Sequence, residues 1–526
     1  MTQHKVLING SWRAADAERY FEPFSPNTGT TLTDSYPASS WADCDEALSA
    51  GREAFVQMQT TPRATIAKFL NDYADAIEAN AGSLVEMAHL ETGLPTNPRL
   101  ADVEIPRTCG QLRQAAMAAQ DASWTTPTID SANNIRSMLQ GIGPVAVFGP
   151  NNFPYAFGSA SGGDFAAAIA AGNPVIAKAN SSHPGTTRLF AELAHNAAKA
   201  NGLPAATVQL IYATSRESGY KLVSDHRLGA TGFTGSRPAG LALKEAADKA
   251  GIPIYLELSS VNPVVVLPGA LAERGEAIAG EFTGSCTMAA GQLCTKPGLI
   301  VVPQGAAGDQ FVSLAAAGFD NAPVGTLLSR YASGQIDDTV AKLTANGAVV
   351  VNSGSAADDS GRFCHANTLL SVDGQNFIDN GELFQTEMFG NASLIIRSAS
   401  NEQTIAIISQ LEGNLTGCIY SDTAGSDDEA YDAIEPALRE KVGRLINDKM
   451  PTGVAVSAAM NHGGPFPSSG HPGFTAVGFP AAAKRFGALK CFDNVRENRL
   501  PEVLRDNNPS DNLWRLVDGQ WTTANL

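Results

Sequence analysis

Between residues 143 and 259, short apolar runs bounded by Gly and Pro alternate with helix-patterned stretches. That rhythm narrows the fold more than any other feature of the chain. GPVAVFGP (143–150), NPVIAKAN (173–180), ATVQLIYA (206–213), ATGFTGS (230–236) and PIYLELS (253–259) read as buried strands. DFAAAIAAG, opened by Asp164 and closed by Gly172, reads as a helix, as do about 184–200 and 238–250. Strands separated by helices of about ten to fifteen residues build βαβ units and a mainly parallel sheet, an α/β architecture. Gly141-Ile142-Gly143-Pro144-Val145-Ala146 fits G-x-G-x-x-A but precedes a strand. The dinucleotide fingerprint must follow a strand and open a helix, so this stretch reads as a turn.

At 526 residues the chain exceeds one core and suggests about two to four domains. WADCDEALSAGREAFVQM and TIAKFLNDYADAIEANAGSLVEMAHL, within 41–90, have helical periodicity. A second α/β region follows, with a helical stretch at 268–290 and buried strands expected in PGLIVVP (297–303), GAVVVNSG (347–354) and ASLIIRSA (392–399). The polar last thirty residues carry two of the five tryptophans and read as an extension packed on a partner subunit. Acidic residues exceed basic ones by 53 to 36, and a net charge of −17 repels nucleic acid and anionic lipid, so neither partner is expected. No signal-peptide core or 18-residue apolar run occurs, so a cytoplasmic protein is expected. The seven cysteines contain no C-x-x-C, and no histidine pair lies near Cys286 and Cys294, so no metal site is expected.

AAGQLCT (289–295) sets Cys294 in a small-residue turn, where a thiol is either a packing group or a nucleophile. Glu257 closes the apolar run IPIYLEL, either as a strand-end charge or as a base, because burying a carboxylate is costly. Seven stretches occur in a telling order: FGPNNFP (148–154), NPVIAKANSS (173–182), GFTGSRPAG (232–240), LELSSVNPVVV (256–266), GQLCTKPG (291–298), FQTEMFGN (384–391) and NHGGPFPSS (461–469). Together they resemble the NAD(P)-dependent aldehyde dehydrogenase superfamily, over roughly residues 20–490. The variants ELSSVNP, SSHPGTT and HGGPFP look most like its α-ketoglutaric semialdehyde (2,5-dioxovalerate) dehydrogenases.

The resemblance implies three catalytic residues. Cys294 is the nucleophile, Glu257 the general base, and Asn152 donates to the oxyanion together with the Cys294 N–H. It implies a cofactor site in which Lys178 meets the adenosine ribose and Gly235, Ser236 and Gly240 meet the pyrophosphate at a helix start. Glu387 and Phe389 would position the nicotinamide ribose. Ser181 stands where many NAD-preferring relatives have a glutamate, and Arg237 can add positive charge, so NADP is expected over NAD. Arg237 also reads as an ordinary solvated helix-start arginine. Asn151 replaces a common Trp and makes the aldehyde tunnel more polar, with Phe153 and Phe466 as its aromatic walls. Ser259 and Ser260 replace a common Gly-Gly. Arg485 and Lys484 are candidates for a substrate carboxylate, without a clear family role.

The implied fold has a Rossmann-like cofactor domain (1–129 and 143–267), an α/β catalytic domain (268–478) and a small β bridging element (130–142 and 479–526). That element would join homodimers or homotetramers. The implied reaction oxidises a small semialdehyde, with 2,5-dioxopentanoate giving 2-oxoglutarate. A fatty or general aldehyde dehydrogenase shares every catalytic residue, whereas a cysteine hydrolase, a dead fold or a coenzyme-A-dependent relative would not need the full set.

Overall fold

A computed structural model describes residues 2–354 and 361–526. The five runs become the strands Val145–Phe148, Val175–Lys178, Val208–Ile211, Ala230–Thr234 and Ile254–Glu257. All their pairings are parallel, in the spatial order 254–257, 230–234, 145–148, 175–178, 208–211. Strands buried on both faces need helices above and below, which is why the runs are apolar throughout. Leu48, Phe69, Leu112, Phe165 and Phe190 from the covering helices share one buried cluster with Val145, Val175 and Val208. An N-terminal hairpin, Val6–Ile8 with Ser11–Arg13, extends the sheet antiparallel beyond 208–211.

The chain builds outward from 145–148 to 208–211, then returns to the other flank for 230–234 and 254–257. That reversal opens a crevice at the carboxyl ends of 145–148 and 230–234, where open α/β sheets take their ligands. Of the G-x-G-x-x-A stretch only 142–144 lie outside strands, since Gly141 ends one strand and Val145 opens the next. Gly143 has φ 139°, and a Cβ on it would lie 2.9 Å from the Gly229 Cα.

The second sheet runs 349–350, 368–373, 392–398, 299–303, 264–266, 414–420, 442–447. Two expectations change here. Val264–Val266 lies in this sheet, paired with Ile300 and Cys418, so the division between the two sheets falls between Glu257 and Val264 rather than after 267. In GAVVVNSG only Val349–Val350 is a strand. It is an antiparallel edge, and the two valines are 58% and 48% exposed rather than buried. An edge strand has a neighbour on one side only.

A third sheet has the order 487–493, 135–141, 128–130, 515–517, 520–522. The C-terminal tail therefore packs first on its own chain. Leu500, Val503, Leu504 and Leu513 bury against Met138. The buried Arg515 donates to the carbonyls of Asp506 and Ala524 at 3.2 and 2.7 Å, while Trp514 and Trp521 stay exposed. Among the described residues no helix is long and apolar enough to cross a membrane.

Candidate active site

The cysteine turn explains its small residues. Ala289, Ala290 and Gly291 are left-handed in succession, with φ 50°, 53° and 68°. Bulky L-residues resist that conformation, and a Cβ on Gly291 would lie 2.1 Å from the Gly390 carbonyl oxygen. Two side chains then fix the turn. Asn262 Nδ2 donates to the carbonyls of Cys294 and Lys296 at 2.8 and 2.9 Å. The buried Lys296 ammonium donates to the carbonyls of Met388, Gly390 and Ala392 at 2.7, 3.0 and 2.5 Å. One ammonium thus ties the cysteine loop to the loop carrying Glu387. Neither Asn262 nor Lys296 was read from the sequence, although both stand inside the quoted motifs.

Glu257 ends its strand, and residues 468–470 run antiparallel beside it, with Leu258 N–H donating to the Ser468 carbonyl at 2.8 Å. This places His462, a residue the sequence reading missed, in contact with both Glu257 and Cys294, the expected base and nucleophile. Its Nε2 is 2.8 Å from Glu257 Oε1 and 3.5 Å from Cys294 Sγ. Both contacts use one nitrogen. When Nε2–H donates to the carboxylate, the ring offers the thiol no acceptor there. Among the described residues Glu257 Oε2 meets no hydrogen-bond donor, and it is buried, which leaves it the open acceptor of the group. Burial, with the Glu257 carboxylate beside it, pushes the Cys294 thiol well above its ordinary range. That shift favours the protonated thiol, so attack by Cys294 would call for proton transfer to a nearby base. The three ligand atoms lie within 4.8 Å of one another, a grouping that could also hold a metal ion and that cysteine spacing could not reveal.

Asn152 is buried and spends one Nδ2 hydrogen on the Gln292 carbonyl at 2.9 Å. Its second amide hydrogen and the Cys294 N–H, which meets no backbone acceptor among the described residues, remain for an oxyanion.

These groups line a cleft of about 1220 Å³ that starts at the sheet's switch point. Cys294, Glu257, Asn152, Asn151 and Phe153 are on its wall, and so are Gly235, Ser236, Arg237, Glu387 and Phe389. Four expected residues are not. Gly240 is a packing contact of the helix Arg237–Ala250, since a Cβ there would lie 2.4 Å from Leu258 Cδ2. Lys178 stands behind the wall with its ammonium 5.6 Å from the Phe148 ring, and burial pushes its pKa down. Ser181 is exposed near the end of the same strand. Phe466 is corrected: the carbonyls of Pro465 and Phe466 press on Gly413, and the ring points out, 57% exposed.

Arg237 grips both oxygens of Glu412 at 2.8 Å, so its charge is shared with a carboxylate across the cleft. Arg485 is corrected as a carboxylate receptor. It is buried, with Nη2 2.6 Å from Asp164 Oδ1 and its guanidinium 5.9 Å from the Tyr255 ring centroid, and Lys484 is exposed. Glu387 accepts a long bond from Ser260 N–H at 3.4 Å; burial raises its pKa, while Ser259 and Lys296 oppose the rise.

The cleft fits a nicotinamide dinucleotide. The helix Arg237–Ala250 opens on the wall with no side chain capping it, which leaves backbone N–H groups for a pyrophosphate. Among the described residues no carboxylate pairs with Lys178.

The comparisons agree with this geometry. Residues 12–465 match the model of the aldehyde dehydrogenase family. The chain is 38% identical to α-ketoglutaric semialdehyde dehydrogenase 2 of Azospirillum brasilense and 35% identical to α-ketoglutaric semialdehyde dehydrogenase of Acinetobacter baylyi, covering 98% of each chain in both cases. Among solved structures it resembles PnpE in complex with nicotinamide adenine dinucleotide, at TM-score 0.80 and 22% identity, over 96% of this chain and 100% of that one. On sequence, fold and site together, the chain belongs to the aldehyde dehydrogenase family.

Proposed function

We propose that this enzyme oxidises 2,5-dioxopentanoate to 2-oxoglutarate, with NADP⁺ preferred over NAD⁺. The observation that carries the chemistry is the free Glu257 Oε2, held next to the Cys294 thiol by His462. Cys294 Sγ adds to the aldehyde carbon as its proton passes to Glu257 Oε2. Asn152 Nδ2 and the Cys294 N–H receive the oxyanion that forms. A nicotinamide held in the cleft would supply the hydride acceptor for this adduct, which would leave a thioester on Cys294. After Glu257 releases its proton to solvent, Oε2 takes one from water and the hydroxide attacks the thioester; the C–S bond breaks, the Cys294 sulfur recovers the proton from Oε2, and the acid leaves.

The substrate reading is supported by the two relatives above and by the polar Asn151 on the cleft wall. Its test is a comparison of initial rates on 2,5-dioxopentanoate and hexanal. Faster oxidation of hexanal overturns it in favour of a general aldehyde dehydrogenase.

The cofactor reading rests on Ser181, an uncharged side chain where a glutamate would repel a 2′-phosphate. Ser181→Glu is expected to lower kcat/KM for NADP⁺ relative to NAD⁺ by roughly 10- to 100-fold, the size of a like-charge clash. An unchanged ratio removes the argument. The same reading makes the enzyme a cytoplasmic homodimer or homotetramer. In support, Gly487–Asp493 is an edge strand of the third sheet with Leu489 68% exposed, and sedimentation equilibrium reads the mass.

A further inference from the structure

Arg107 and Arg444 feel the charge of Cys294, and Arg99 holds the Asn152 carbonyl; Arg99 and Arg444 are committed. Arg99 pairs with the buried Glu104 at 2.5 Å, donates to the Asn152 carbonyl at 2.9 Å and stacks 4.2 Å from the Phe153 ring centroid. Arg444 donates to the carbonyls of Pro451 and Gly453 at 2.8 and 3.2 Å and keeps only Nε unmet. Arg107 differs. Its Nη1 donates to the Val454 carbonyl, while Nε and Nη2 are both buried and, among the described residues, meet no acceptor.

Those two atoms form one edge of the guanidinium, with parallel N–H bonds that match the two oxygens of a carboxylate. Leaving both unmet in the interior is costly, and an incoming acceptor would relieve that cost. The edge is also near the chemistry. The Arg107 guanidinium lies 5.7 Å from the Phe157 ring centroid, and that ring lies 5.5 Å from the ring of His462, which touches Cys294. The backbone that Arg107 holds at Val454 adjoins Gly453, whose N–H donates to Thr295 Oγ1 at 3.3 Å, next to the nucleophile. Burial pushes the guanidinium pKa down, and the neighbouring Cys294 and Glu104 act against that shift.

We propose that the Nε/Nη2 edge of Arg107 receives the remote carboxylate of an acidic aldehyde substrate. This rests on the reading above that the substrate is a semialdehyde acid. Both atoms are closed to solvent, so the carboxylate reaches them as the chain around Val454 opens; Gly453, Ala455 and Ser457–Ala459 are exposed. The site selects aldehydes that carry an acid and places the carbonyl of the bound substrate toward Cys294.

The test compares 5-oxopentanoate with pentanal, which have the same chain length and differ in the carboxylate, and adds 2,5-dioxopentanoate. In Arg107→Met the kcat/KM ratio of 5-oxopentanoate to pentanal is expected to fall about 100-fold, mainly through KM, the loss of a bidentate charged contact. Arg107→Lys should recover part of it. Equal losses on both aldehydes would mean a structural role and overturn the proposal, as would an unchanged ratio. Wild-type enzyme that ignores 2,5-dioxopentanoate yet shows an Arg107-dependent preference for 5-oxopentanoate would sink the substrate reading and keep this one. Oxidation of 2,5-dioxopentanoate that Arg107→Met leaves intact would do the reverse. A second readout needs no turnover: 2-oxoglutarate should slow alkylation of Cys294 by iodoacetamide in the wild type and not in Arg107→Met. Lack of protection in the wild type also overturns the proposal.

Discussion

Replacing Cys294 by alanine should lower aldehyde oxidation by on the order of 10⁴-fold or more, because the covalent route disappears and only binding and the oxyanion donors remain. Circular dichroism should be unchanged, since the turn is fixed by Asn262 and Lys296 through backbone carbonyls rather than through sulfur. The wild-type thiol should also show its environment. With its pKa pushed up by burial and Glu257, the thiolate fraction stays small at neutral pH. Alkylation of the ligand-free enzyme should then climb about tenfold per pH unit through pH 9 without levelling off. A plateau below pH 8, followed by mass spectrometry, would show a resident thiolate and contradict the proton transfer argued here.

Glu257→Gln tests the other half of the cycle. His462 can still donate to the amide oxygen, so the local hydrogen bond survives while the basic Oε2 is lost. Steady-state turnover should fall by roughly 10²- to 10⁴-fold, the range for a missing general base. Rapid mixing should then reveal a burst of reduced nicotinamide approaching one equivalent per site, as thioester builds up. The burst itself should be slower than in wild type, because Oε2 also takes the thiol proton; a burst at the wild-type rate would confine Oε2 to the water step. No burst and no turnover would move Glu257 wholly to the first step. Because the carboxylate raises the thiol pKa, the same variant should alkylate faster than wild type at any given pH below 9.

The first sheet, and the three residues Cys294, Glu257 and Asn152 that the fold brings to one cleft wall, were legible because their signals are local. A buried parallel strand announces itself as an unbroken apolar run, and Cys294, Glu257 and Asn152 stand inside recognisable motifs. His462 was quoted within NHGGPFPSS and given no role, since its partners lie 168 and 205 residues away in sequence. Phe466 was misplaced for a related reason: an aromatic letter beside a glycine pair does not say which way the ring faces. The strand Asn414–Tyr420 went unread because Asn, Thr and Gly interrupt its apolar pattern, although every residue of it is buried. Arg107 sits near the start of a helix whose opening IPRTCGQL, with Pro106 and Gly110, blurs the helical period. What made it notable was two unmet hydrogen-bond donors, a property of the packed interior.

The third sheet joins residues that the ribosome delivers far apart in time. The strand Ile135–Gly141 pairs along its full length with Gly487–Asp493. At 5–20 residues per second that partner emerges about 20 to 70 s later. Until then Ile135–Gly141 has an open edge, and an open edge invites wrong pairing. A nascent chain must therefore be shielded over that interval, and a chain truncated before 487 never completes the sheet. That side of Ile135–Gly141 is therefore closed only once both segments are present.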